Sequence, residues 1–124
     1  MRYMVFVKMA PDAGEAPQEL FDAMGKEMAQ AFADGSMIAA GGLGGGEQIV
    51  ELRLAGGSIT NTDGPYAEAK EVIGGWAIVK FDSEEEARAE GQTMAGLHLQ
   101  HWPGWEGAIE MRRIAEPDEA PEGA

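Results

Sequence analysis

Asp63-Gly64-Pro65-Tyr66-Ala67-Glu68-Ala69-Lys70-Glu71-Val72-Ile73-Gly74-Gly75-Trp76 packs a rigid corner, charged side chains and two large aromatics into one short stretch. Asp63 can accept backbone N–H bonds, Gly64 tolerates positive φ, and Pro65 fixes its own φ while driving Gly64 away from the α region. The result is a stiff turn that holds Glu68, Lys70 and Glu71 close to a fixed point. Such a corner can wall a small-ligand pocket, or it can be a solvated turn with ordinary surface charges. Val72 to Phe81 follows as the longest strand candidate. Its middle is apolar on both faces, as a central strand requires, and Gly74-Gly75 leaves room for a ligand or a closely packed helix.

Working outward, Ala55-Gly56-Gly57-Ser58 is a hairpin turn signal, so residues 48–54 and 58–62 are expected to pair as antiparallel strands. Before them, Met37 to Ala40 reads as a short buried strand. Gly41-Gly42-Leu43-Gly44-Gly45-Gly46 runs on into a strand rather than a helix, which argues against a phosphate loop and for a ligand-adjacent loop. Arg2 to Met9 carries the β-formers Tyr3, Val5, Phe6 and Val7, and the strand ends at Pro11. From Pro17 the series Leu20, Phe21, Met24, Met28, Ala31, Phe32 recurs at helical steps until Asp34-Gly35 stops it. Asp82-Ser83-Glu84-Glu85-Glu86 opens a second helix, with acids at the positive end of its dipole. Residues 106–114 form the last strand. The order β, α, β, β-hairpin, β, α, β is an α+β plan with two helices on one face of an antiparallel sheet, leaving the other face to be covered.

The chain has 124 residues, 44% of them hydrophobic, enough for one domain with its own core. No apolar run approaches a membrane span, and the first residues lack the pattern of a signal peptide, so a cytoplasmic protein is expected. The absence of cysteine rules out disulfides and thiol nucleophiles. A net charge of −13, from 22 acidic and 9 basic residues, opposes direct nucleic-acid binding. Glu116, Asp118, Glu119 and Glu122 crowd the end, so residues 1–115 are read as the domain and 116–124 as a disordered acidic tail.

His98 and His101 are the two histidines, three residues apart on one helical face, followed by Trp102-Pro103-Gly104-Trp105. That spacing, without a carboxylate in register, does not make a metal site, and no metal or cofactor is expected. An imidazole bonded to Asp63 or Glu106 would suit acid–base chemistry near neutral pH, whereas half-exposed histidines at the negative end of the helix would be purely structural. The Trp-Pro-Gly-Trp loop suits a stacking lid or an apolar plug. No nucleophile elbow or Ser-His-Asp order is present.

The motif Asp63-Gly64-Pro65-Tyr66-Ala67-Glu68, with Lys70-Glu71 and Gly74-Gly75-Trp76, resembles the signature of the DGPF or YCII-related domain family. Tyr66 stands where the family has Phe and Ala69 where it has Thr or Ser. The similarity continues through Leu97-His98, His101-Trp102-Pro103-Gly104-Trp105-Glu106-Gly107 and Ile109-Glu110-Met111-Arg112. It implies a ferredoxin-like fold in which a second copy covers the bare sheet face, a homodimeric α+β barrel. Relatives carry a His on the first helix facing an Asp near the turn. Here Asp63 is present, but the first helix offers Phe21, Met24 and Met28 instead, so a dyad would need His98 or His101.

Two functions are therefore expected. The first is binding of an unknown small molecule between sheet and helices by Met24, Tyr66, Lys70, Trp76 and Trp102, anchored by Asp63, with cofactor-independent catalysis by Asp63, His98 and His101 as its extension. The second follows from the resemblance to partners of extracytoplasmic-function sigma factors: an accessory whose acidic surface engages such a factor.

Overall fold

Alternation along the first strand sets the layers. In β1 (Arg2–Met9) Tyr3 and Val5 are buried, whereas Arg2, Met4 and Phe6 between them are only half-buried. One row faces a packed core and the other a more open surface. The computed structural model describes residues 1–43, 49–63 and 71–117. Its further elements are α1 (Gln18–Asp34), β2 (Met37–Gly42), β3 (Val50–Ala55), β4 (Ser58–Asp63), β5 (Val72–Lys80), α2 (Glu84–His101) and β6 (Gly107–Arg113).

The strands β2, β5, β1 and β6 form, in that spatial order, an antiparallel sheet, the arrangement of a ferredoxin-like α+β fold. The core lies between sheet and helices: Tyr3, Val5, Met37, Ala77 and Val79 from the strands meet Ala31 of α1 and Ala87 of α2. Small residues on the helices allow close approach. At Gly91 a Cβ would stand 2.8 Å from the Met111 sulfur, so α2 approaches β6 closely there and a side chain at this position would have to displace the Met111 thioether.

Local chemistry explains the start of α2. The Ser83 hydroxyl accepts the Glu86 N–H at 3.2 Å, and the Glu86 carboxylate accepts the Asp82 N–H at 3.2 Å, a reciprocal cap. The stripe of α1 differs from its expected form. Leu20 and Ala31 are buried, Met24, Glu27 and Met28 are half-buried, and Phe21 and Phe32 lie outside. A helix covering one side of four strands buries a narrower face than its apolar content suggests.

β3 and β4 form a separate two-stranded sheet, turned by Gly56 and Gly57 at φ +58° and +78°, values that suit glycine in a tight hairpin. β2 is an edge strand rather than an enclosed one. Gly64 to Lys70, residues 44–48 and the tail from residue 118 lie outside the described residues.

Candidate functional site

Cross-strand register builds the open face of the four-stranded sheet in rows. Gly41, Trp76, Phe6 and Glu110 make one row, and Ala39, Ile78, Met4 and Arg112 the next. Arg2 and Lys80 pair beyond them, and Lys8 stands at the other end opposite Ile73 and Ala108. The centre is apolar and aromatic. The Trp76 indole lies across Gly41, where a Cβ would come within 2.9 Å of its Nε1, so glycine on β2 is what lets the ring lie flat.

The rim of this face gathers basic side chains, several of them paired with acids. Arg2, Lys8, Lys80 and Arg112 are four of the nine basic residues of the chain. Lys8 Nζ lies 2.8 Å from Glu110 and 3.0 Å from Glu71, Arg112 bonds Glu110 and stands 5.8 Å over the Phe6 ring, and Arg2 bonds Glu116 with both nitrogens at 2.7–2.8 Å. Hydrogen bonds from Lys8 and Arg112 hold the Glu110 carboxyl below its usual range, and that from Arg2 does the same for Glu116. In turn Glu110 and Glu71 raise Lys8. The charges are fixed in place around an aromatic floor.

A second group of aromatics gathers at the end of α2. His98 is buried at 4% exposure, and its Nδ1 lies 2.8 Å from the Met94 carbonyl, which makes Nδ1–H the donor. Its ring is 4.8 Å from that of Trp105, which stacks on Trp102 at 5.7 Å. The Trp105 Nε1–H is buried without a partner among the described residues. His101 is part-exposed, with Nδ1 4.0 Å from Glu19 of α1.

The residues expected to act together are thus distributed. His98, Trp102 and Trp105 form one cluster, and His101 faces α1. Met24 is half-buried on α1, on the helix side of the sheet, while the side chain of Trp76 is on the opposite side. Asp63 ends β4, paired to Val50 in the hairpin sheet. Tyr66 and Lys70 lie outside the described residues. Between sheet and α2 the space is a cavity of about 20 Å³, room for a water and not for a ligand, lined by Val5, Val79, Glu90, Met94 and Met111 among others. A wider groove of about 330 Å³ runs between α2 and the edge strand β6. Among the described residues no three His, Asp or Glu side chains gather as a metal would require, and no helix is long and apolar enough to cross a membrane.

Sequence reasoning missed two features. One is the row of Phe6 and Glu110 beside Trp76, whose signal was the alternation in residues 2–8. The other is Glu90, whose Oε1 is buried without a partner among the described residues. Burial and the neighbouring carboxylates of Glu27 and Asp34 push it up to about 7.

No curated protein matches the chain. The model of the YCII-related domain matches residues 1–95, from β1 into α2 and ahead of His98. The chain belongs to the YCII-related domain family.

Proposed function

We propose that the chain binds a small molecule with a flat apolar body and an acidic group on the open face of the four-stranded sheet, and that a second copy covers this face to complete the pocket. The observation that carries it is the Phe6–Trp76 pair, with the indole laid over Gly41 and basic side chains around it. Aromatic floors favour planar ligands, and the rim side chains Arg2, Lys8 and Arg112, although paired with Glu116, Glu71 and Glu110, bring N–H donors close to where an acidic group would sit. A sheet with helices on one side has this face to bury, and association of two copies is the economical cover.

Acid–base chemistry is a narrower proposal. Within the expected set of Asp63, His98 and His101, it would rest on His101, since His98 is buried with its Nδ1 committed to a backbone carbonyl. Association with a sigma factor draws on the acidic outer helix residues Glu19, Asp22, Glu84 and Glu85. A pull-down without any sigma factor would count against that reading.

A library of small aromatic acids, screened by thermal shift and titrated by calorimetry, tests the binding. Trp76→Ala and Phe6→Ala proteins that fold normally are expected to lose tenfold or more in affinity for any hit. Hits that bind both variants as well as the parent chain would refute the site.

A further inference from the structure

In the β3–β4 hairpin, β3 carries a buried-type pattern, yet among the described residues no other element packs beneath it. Register sets Val50, Leu52 and Leu54 of β3 opposite Asp63, Asn61 and Ile59 of β4 on one face, and Glu51, Arg53 and Ala55 opposite Thr62, Thr60 and Ser58 on the other, where Arg53 and Glu51 pair at 2.9 Å. Alternation of the kind seen in β3 belongs to a strand whose apolar face is covered. Yet Val50, Leu52, Leu54 and Ile59 are between 60% and 74% exposed, and among the described residues the two strands pack substantially only on each other. A two-stranded hairpin alone is marginal in water and needs a third layer.

We infer that this hairpin is an arm that packs on a second copy of the chain, closing over the open sheet face of its partner and supplying the apolar lid of the ligand site. The inference rests on the proposed binding at that face. Reach supports it: a strand of this length extends roughly 20 Å at about 3.3 Å per residue, and the four-stranded sheet is about as wide at ~4.8 Å per strand. Area supports it too. The four side chains present on the order of 400–500 Å² of apolar surface, more than a monomer ordinarily leaves bare, and two reciprocal arms approach the ~1,200 Å² at which stable interfaces begin. The choice of a second copy over a foreign protein follows from the chain's own surfaces. Exchange between two copies covers the arm and the face Met4, Phe6, Trp76, Ile78 at once, whereas a foreign partner on the arm leaves that face bare.

The test places a photoreactive p-benzoylphenylalanine at Leu54 in the full chain. Heavy-isotope and natural-abundance copies are refolded together, irradiated, and mapped by mass spectrometry, with sedimentation measured on the same sample. The expected result is a dimer in which the probe at position 54 links a labelled chain to the β1 or β5 peptide of an unlabelled one. A dimer whose cross-links all fall within one chain, or whose probe captures nothing, would overturn the arm and leave the binding face standing. A monomer at working concentration would overturn both.

Discussion

Glu90 shares its helix face with Ala87 and Met94, and its neighbours across the helix interface are the acids Glu27 and Asp34 of α1. Burial of one oxygen and the repulsion of these acids favour the protonated form, so the folded chain holds a proton that the unfolded chain releases near pH 4.5. Because the folded value is the higher one, this stabilisation is full below the unfolded value and is lost as pH rises to about 7. The carboxyl is only half-buried, so after discounting for solvent the loss is on the order of 1 kcal/mol. Glu90→Gln is expected to raise stability at pH 8 by about that amount and to flatten the slope between pH 5 and 7, as read by urea unfolding at several pH values. The acids held low, Asp34, Glu110 and Glu116, work in the opposite sense and in a different window: their contribution is present above the ordinary carboxylate range and lost as pH falls below it. None of this is legible in the sequence, because Glu27 and Glu90 are far apart in the chain and only the packing of α1 on α2 brings them together. The available signal was a Glu at position 27 inside the stripe of Met24, Met28 and Ala31.

Elements, by contrast, follow from local pattern. The β1 and β5 strands, both ends of α1, the start of α2 and the Gly56-Gly57 turn stand where alternation, caps and glycines place them. The Ser83 cap carries its own prediction. Ser83→Ala should cost about 1 kcal/mol, while Ser83→Asp should cost little, in the same unfolding assay. Less was legible where an element offers two apolar faces. Residues 73–79 are apolar throughout, so the strand itself does not say that Ala77 and Val79 meet the helices while Trp76 and Ile78 turn away. That side is set by Tyr3 and Val5 across the ladder. Trp76 therefore parts from His98 and Trp102, with which the sequence grouped it. Likewise Phe21 and Phe32 continue the helical period of α1 but lie beyond the width of the sheet contact.

At the scale of the whole molecule, two largely apolar surfaces lie open among the described residues: the centre of the open sheet face and one face of the hairpin. The first has an aromatic centre ringed by the ion pairs of Arg2, Lys8 and Arg112 with Glu116, Glu71 and Glu110, and that combination supports a binding face completed by a second copy. Sedimentation velocity on the parent chain and on Ile78→Lys is the most direct test. Ile78 lies at the centre of the face, between Ala39 and Met4, and away from the helix-side core. The expected result is twice the chain mass for the parent and a folded species of single mass for the variant. A parent chain that sediments at single mass, or an Ile78→Lys protein that remains fully dimeric, would contradict it.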